Sequence, residues 1–280
     1  MKDFSEKKKQ VSETNCTKIE QEKILERETN LGNMKKIAYL TIDDSPSKDM
    51  KKKVDVLVSK GIPAIWFSVG RFLKKRSKSA IHAINAGHIL ANHSYTHPRF
   101  SFLPLKKCFE EIQKTDKIID DIYRKAHVER PAKFFRFPHG DKGDFKHYAT
   151  SESREIEGKI RKEEIQGFLK KIGYMQPNFE NITYQYYRKA RPSGDVDWNL
   201  TYDVMEWTVF TKVHLFGINS LEKVLKRMDE DAPGEGRGLN YADSEEVIVI
   251  HDHSQTTHMF EPIMEKLLSK GLIFKLPKLN

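Results

Sequence analysis

The segment KIAYLTI (36–42) is a near-continuous apolar run that ends directly at two adjacent aspartates, Asp43 and Asp44. Such runs are typical of strands that are buried on both faces, as in a parallel sheet. Neighbouring side chains of a strand point in different directions, so one carboxylate can bind a metal while the other faces a substrate. An Asx turn before Pro46 explains the same residues without any function.

Six further apolar runs follow this segment along the chain, and helical patterns lie between them. This alternation predicts a βα-repeating protein with a parallel sheet, in which chemistry gathers where strands end and loops begin. The predicted strands are 64–69, 88–92, 133–138, 175–179, 195–202 and 246–252, and the predicted helices are 50–60, 78–86, 105–126, 152–172, 220–228 and 260–269.

One predicted helix, 152–172, carries a broad apolar stripe at helical spacing. We expect this stripe to face the protein interior. Its members are Ile156, Ile160, Ile165, Phe168, Leu169 and Ile172.

The composition is that of a globular protein. Of 280 residues, 38% are hydrophobic and 32% are charged, and the net charge is +9. The basic balance favours anionic partners, although a lysine-rich proteome explains it equally well. No run of eighteen apolar residues exists, so no membrane span is predicted. Only two cysteines, Cys16 and Cys108, are present, so a disulfide framework or thiolate metal site is not expected.

Two histidines, His93 and His97, follow the third predicted strand as part of HSYTH. Residues at this spacing share one face of a helical turn and can chelate one ion. Together with Asp44 they form a set of two imidazoles and one carboxylate, which leaves coordination positions for water and substrate.

Two more strand ends carry polar residues. Arg136 lies among apolar neighbours in RFPHG, so it needs a carboxylate partner, for which Asp43 is the natural candidate. The glycine of the same motif, Gly140, permits a tight turn that presents backbone N–H groups to an oxyanion. His251 ends the seventh strand and suits a general acid, although a lone histidine there is more often a satisfied core residue.

These motifs together resemble the polysaccharide deacetylases of carbohydrate esterase family four, which act on chitin, chitooligosaccharides and peptidoglycan. The resemblance spans roughly 35–276 and implies a distorted (β/α)7 barrel with its active site at the carboxyl-terminal rim. The motifs appear in the family's order as TIDDSP (41–46), HSYTH (93–97), RFPHG (136–140), DVMEW (203–207) and VIH (249–251).

The resemblance also implies roles. It makes Asp43 the catalytic base and Arg136 the residue that orients it. Asp44, His93 and His97 would bind one divalent metal ion, zinc or alternatively cobalt. The substrate would be an N-acetylated polysaccharide. The remaining implied roles are His251 as general acid, Glu206 as its partner, and His139, Gly140, Trp207 and Val249 as substrate-binding residues.

Several positions depart from the family pattern. Ser45 replaces a glycine, His139 replaces a tyrosine, and Glu206 replaces the aspartate that holds the catalytic histidine. The earlier DVDW (195–198) competes with DVMEW for the fourth motif, but the later match has the better spacing.

Two stretches, 141–158 and 180–194, look longer than the common core. Tyr184, Tyr186 and Tyr187 in the second could stack on sugar rings, although a loop packed on the barrel is the more favoured interpretation. His253 and His258 could line the groove.

We divide the chain into a polar tail (1–34) and a catalytic domain (35–280). The family implies an envelope or extracellular location, whereas the first residues lack the apolar core of a signal peptide.

Deacylation of another amide and a catalytically inactive carbohydrate-binding role remain alternatives. Nucleic-acid binding rests on charge alone, and no motif supports it. The oligomeric state is not predicted.

Overall fold

The computed structural model describes residues 36–146, 148–177, 179, 181–190, 194–233, 238–241 and 243–279. The predicted tail over 1–34, with Cys16, lies outside the described residues, as do His147 and the side chain of Tyr186.

The described residues form a parallel sheet of six strands in the order β3-β2-β1-β5-β4, with β6 also paired to β1. This confirms the predicted α/β class with parallel strands. The strands are β1 (Lys36–Ser45), β2 (Ala64–Ser68), β3 (Ile89–Asn92), β4 (Tyr202–Asp203), β5 (Glu246–His251) and β6 (Leu272–Phe274).

Two of the seven predicted strands, 133–138 and most of 195–202, are reduced to single bridges. Asn92 pairs with Phe135, and Phe135 pairs with Asp197, so the sheet continues past β3 through two irregular segments. Lys133 bridges to Tyr174, whereas 175–177 and 179, the described part of the strand predicted over 175–179, form no strand. Regular ladders therefore do not close a barrel within the described residues. The aromatic residues of 133–138 and 195–202 led to the prediction of strands there. In the structure these side chains pack against one another, but the backbone that carries them is irregular.

The predicted helices are present, and their bounds shift by at most a few residues. The sequence pattern missed two short helices, α2 and α6, and the strand β6. The helices are α1 (Met50–Ser59), α2 (Gly70–Lys75), α3 (Ser77–Asn85), α4 (Leu105–Ala126), α5 (Glu152–Lys171), α6 (Gln185–Ala190), α7 (Leu221–Arg227) and α8 (Thr257–Ser269). None of these helices combines the length and apolar character that crossing a membrane requires.

The apolar stripe predicted for α5 is wrong in its first half. Ile156 and Ile160 are 51% and 55% exposed, whereas Ile165 and Leu169 are fully buried. The first half of α5 instead packs through Gly158, which lies against the backbone of Asp144. The guanidinium of Arg161 in the same region donates to the carbonyls of Phe100 and Leu103.

The parallel register of β1 and β5 determines where the polar strand ends meet. Asp43 lies opposite His251, and Thr41 lies opposite Val249. Beyond the last pair, the backbone N–H of Asp252 donates to the carbonyl of Asp43 at 2.8 Å. The carboxyl ends of the two central strands are therefore held side by side.

Two glycines of α5 provide a test of this packing. In Gly158→Ala the new Cβ would meet the carbonyl oxygen of Asp144 at 2.0 Å, so we expect a loss of about 1–3 kcal/mol in the free energy of unfolding. Gly167→Ala is the matched control, because nothing lies within 4 Å of its added Cβ. It should stabilise the protein by about 0.5–1 kcal/mol through helix propensity. Urea unfolding of both variants measures these free energies, and equal stabilities of the two variants would contradict the close contact at Gly158.

Candidate active site

Three side chains that end β1 and follow β3 converge on one point. The Oδ1 atom of Asp44 lies 2.9 Å from Nε2 of His97 and 3.6 Å from Nε2 of His93. One ligand atom from each of the three lies within 4.8 Å of the other two. Asp44 and His97 both have positive φ, at 65° and 63°, an uncommon conformation for non-glycine residues. The backbone is thus bent at both places where it delivers a donor atom.

The protonation of this group suits a divalent cation. His93 donates from Nδ1 to the carbonyl of Arg136 at 2.8 Å, which leaves the lone pair of Nε2 facing Asp44. Burial lowers the pKa of His93 to about 4, so its imidazole is neutral at pH 7. Burial disfavours the charged Asp44, but hydrogen bonds from His253 and His97 hold its pKa well below the ordinary value. One carboxylate and two imidazoles therefore fit a divalent metal ion.

Asp43 and Arg136 form a buried ion pair beside these residues. The Oδ1 atom of Asp43 accepts from Nη1 of Arg136 at 2.7 Å, and Asp43 is 6% exposed. The same nitrogen donates to Oγ1 of Thr41, and the guanidinium lies over the ring of Phe67. The other oxygen of Asp43 lies 3.9 Å from Nε2 of His93. Arg136 thus holds one carboxylate oxygen, and the second faces the Asp44 group.

His251 is the register partner of Asp43 and belongs to a second group, which Asp203 and Glu206 complete. Its Nδ1 lies 3.3 Å from Oε1 of Glu206, and its backbone N–H donates to the same oxygen at 2.7 Å. Burial alone lowers the pKa of His251, but attraction to Glu206 and Asp203 outweighs this effect and raises the pKa to about 10. Burial also raises the pKa of Asp203 to about 6. The longer side chain of Glu206 therefore still reaches the histidine.

The four predicted substrate-binding residues occupy different places. The rings of Trp207 and His251 are 6.1 Å apart, and Nε1 of Trp207 donates to Asp203 at 3.4 Å. Val249 is buried in β5 between its register partners. His139 lies at the exposed rim, with its ring 4.4 Å from that of His97.

The two backbone N–H groups of the predicted oxyanion turn differ in their hydrogen bonds. The N–H of Gly140 donates to the carbonyl of Phe137 at 3.2 Å, so it is already used within the turn. The N–H of His139 makes no hydrogen bond to any described residue, which leaves it as the donor that a ligand can use. His139 has φ 59°, and this bend turns the backbone at the rim.

Described residues of the two long stretches contact the rest of the protein. Asp141 is buried and accepts from the backbone N–H and hydroxyl of Ser101. Tyr187 is 2% exposed, and Tyr184 packs against the same apolar cluster. These two tyrosines therefore pack against the protein core, as the favoured interpretation predicts, and do not stack on sugar rings.

His253 is the residue that the sequence pattern indicated most weakly. Its Nε2 lies 2.8 Å from Oδ2 of Asp44, and its ring stacks at 5.5 Å on that of His251. Its position two residues after His251 in the continuation of β5 was the only available signal. His258, by contrast, is exposed and contacts Phe210.

A cleft of about 700 Å³ opens beside Asp44, His97 and His253. A parallel α/β sheet with donor atoms of this kind at its carboxyl ends defines a candidate metalloenzyme. Residues 31–155 match the family described as polysaccharide deacetylase.

Parts of the chain are also similar to known deacetylases. A chitooligosaccharide deacetylase of Sinorhizobium fredii is 31% identical over 103 residues, which are 36% of this chain and 46% of that protein. The peptidoglycan-N-acetylmuramic acid deacetylase PdaA of Bacillus subtilis is 30% identical over 129 residues, 45% of this chain and 46% of the relative. The chain therefore spans less than half the length of these relatives.

A solved structure extends the likeness in fold. The peptidoglycan deacetylase PdaC of Bacillus subtilis matches with a TM-score of 0.52 and 19% identity, over 86% of this chain and 87% of that one. At this identity the match shows a shared fold.

The contact between His253 and Asp44 predicts an effect on metal affinity. An ionised carboxylate can only accept, so the imidazole donates and holds Asp44 with Oδ1 toward the two histidines. His253→Ala should weaken zinc binding about tenfold to a hundredfold, the range for residues that orient a ligand. His253→Gln, which keeps an N–H donor, should recover part of the loss.

The measurement is a competition titration with a chromogenic chelator. His258→Ala is the matched control and should bind zinc as the unaltered chain does, because its ring lies away from Asp44. Equal affinities in His253→Ala and the control would show that His253 does not orient the ligand.

Glu206→Gln tests the raised pKa of His251. A group whose folded pKa is raised stabilises the fold fully below its unfolded value, near 6.5, and loses that contribution as the pH rises through about 10. The variant should be about 1–3 kcal/mol less stable than the unaltered chain at pH 6, and this difference should shrink toward pH 10. Urea unfolding from pH 6 to 10 measures it. A difference that stays constant with pH would contradict the assignment.

Proposed function

We propose that this protein is a metal-dependent hydrolase that removes N-acetyl groups from amino-sugar residues of a polysaccharide. The observation that carries the proposal is the position of Asp43. Arg136 holds its carboxylate beside the Asp44 group, and Asp43 is the register partner of His251, so a candidate base and a candidate acid end two neighbouring strands. The names of the relatives, a chitooligosaccharide deacetylase and a peptidoglycan-N-acetylmuramic acid deacetylase, support this class of substrate.

Asp44, His93 and His97 would hold the metal ion, and zinc is the ion that this donor set suits best. When bound, a zinc ion polarises the carbonyl of the amide and lowers the pKa of water to roughly 7. The remaining chemistry belongs to side chains of this chain.

Asp43 acts as the general base. Its free oxygen accepts a proton from the water that attacks the amide carbon, while the charge of Arg136 keeps the carboxylate oriented. The N–H of His139 donates to the oxygen on which negative charge develops. Trp207 and Val249 bound the space for the methyl group.

His251 acts as the general acid. Because Glu206 raises its pKa, the imidazole is protonated at neutral pH and can protonate the leaving nitrogen. The carbon–nitrogen bond then breaks, and one water and one amide yield acetate and a free amine. The lowered pKa of His93 keeps its imidazole neutral, as a metal ligand requires, whereas the raised pKa of His251 keeps its imidazole protonated, as a general acid requires.

Acetate release from N-acetylglucosamine oligomers and from peptidoglycan tests the proposal. Protein is compared as purified, after chelation, and after reloading with zinc or cobalt, and we expect release to be lost on chelation and restored by metal. Asp43→Asn should lower kcat about 10²–10⁴-fold with the metal still bound, because the base is removed.

Glu246→Gln is the control for loss of a buried carboxylate. Glu246 pairs with Lys36 at 2.6 Å at the opposite end of β5, so the folded variant should keep its kcat. Turnover retained in Asp43→Asn would refute the role of Asp43. If no loading gives acetate while the metal stays bound, another amide or a carbohydrate-binding role takes the place of this proposal.

A further inference from the structure

The cleft beside the candidate metal residues is lined by cations. It lies between the residues after β1, the start of α2 and the residues after β5. Lys48, Arg71 and Arg76 line it, and Asp44 and His97 lie in the same lining. We refer to Lys48, Arg71 and Arg76 as the basic wall. Two of them, Lys48 and Arg71, are exposed, and Arg76 is half-buried.

The basic wall lacks anionic partners within the described part of the chain. Arg76 donates to the carbonyl of Pro46 at 3.4 Å, and the guanidinium of Arg71 lies 4.8 Å from the ring centre of Phe72. No ion pair joins Lys48, Arg71 or Arg76 to a described carboxylate. Many other surface cations of this basic protein are paired, such as Lys60, Lys107, Lys125 and Lys266.

The two carboxylates of the cleft are already engaged. Asp252 is buried and pairs with Lys53 at 2.9 Å, and it also accepts from the backbone N–H and hydroxyl of Ser47. Asp44 accepts from His97 and His253. The cleft therefore presents uncompensated positive charge next to the proposed site of amide hydrolysis.

The rest of the lining suits a sugar. Pro46 and Phe72 supply apolar surface, and Ser254 and Gln255 supply polar groups. Guanidinium groups bind carboxylate and phosphate through paired N–H donors, and ammonium groups bind them as point charges.

We propose that this cleft binds an anionic substituent, a carboxylate or phosphate, on the saccharide whose N-acetyl group lies at Asp44, His93 and His97. The inference rests on the proposed function and adds a substrate class to it. A neutral N-acetylated oligomer would be the poorer ligand, because it leaves the three cations of the basic wall without partners.

Direct binding tests the inference independently of turnover. Calorimetric titration uses the full chain in buffer free of divalent ions, so that no ligand is consumed. Four ligands of equal length are compared: a neutral N-acetylglucosamine oligomer, a glycan strand with N-acetylmuramic acid carboxylates, the same strand with those carboxylates converted to methyl amides, and a 6-phosphorylated N-acetylglucosamine oligomer. The second and fourth ligands separate carboxylate from phosphate.

We expect at least one anionic ligand to bind more tightly than its neutral counterpart, and the difference should decrease as salt rises from 50 to 300 mM. Replacing Lys48, Arg71 or Arg76 singly by Gln should reduce the preference about twofold to fivefold, and the triple replacement should remove it. Lys159→Gln, at an exposed position of α5 that does not line the cleft, is the control and should keep the preference.

Equal affinity for charged and neutral ligands in the unaltered chain would overturn the inference, and so would a preference that survives the triple replacement. Acetate release, measured separately, reports on the proposed function. A preference for anionic ligands without any acetate release would leave the binding class standing and reject the reaction. Acetate release from all ligands without a preference for anionic ones would support the reaction and reject the binding class.

Discussion

The buried contact between Arg136 and Asp43 is the interaction on which the geometry of the site depends. The guanidinium of Arg136 joins its own segment to two others. It donates to Asp43 and Thr41 of β1 and to the carbonyls of Trp198 and Asn199. Removing one partner of such a pair leaves an uncompensated buried charge, at a cost of about 3–5 kcal/mol. The backbone of Arg136 also contributes to the site, since its carbonyl accepts a hydrogen bond from Nδ1 of His93.

Two histidines at this rim acquire opposite protonation because their surroundings differ. Nδ1 of His93 donates to the neutral carbonyl of Arg136, and desolvation lowers the pKa of this imidazole by more than Asp43 and Asp44 raise it. His251 is also desolvated, but the carboxylates of Glu206 and Asp203 favour its charged form and raise its pKa. Burial by itself therefore does not decide the charge of an imidazole here. The balance between burial and the neighbouring carboxylates decides it. Asp43 and Asp44 do not offset the burial of His93, whereas Glu206, which begins the 3₁₀ turn Glu206–Phe210, and Asp203 outweigh the burial of His251.

Much of the fold was predictable because apolar runs and helical periods follow directly from burial. The long helix α4 begins and ends where its pattern predicts. The exceptions have local causes. The described residues of the strand predicted over 175–179 form no strand, and Phe179 instead packs its ring against Tyr187 of α6. In α5, Ile156 and Ile160 match the helical period but face solvent, since Gly158 is the residue that contacts the neighbouring loop.

The sequence by itself determined which side chains end the strands. Asp43, Asp44, His93, His97, Arg136 and His251 each follow an apolar run, and parallel strands bring such ends to one edge. Only the tertiary structure decided which of their atoms meet. The distance of His253 from Asp44 depends on the β1–β5 register. The convergence of Lys48, Arg71 and Arg76 on one cleft depends on how the residues after β1 pack against α2 and the residue that follows it. These contacts join residues that are far apart in the chain, and local hydrophobic periodicity carries no information about such pairs.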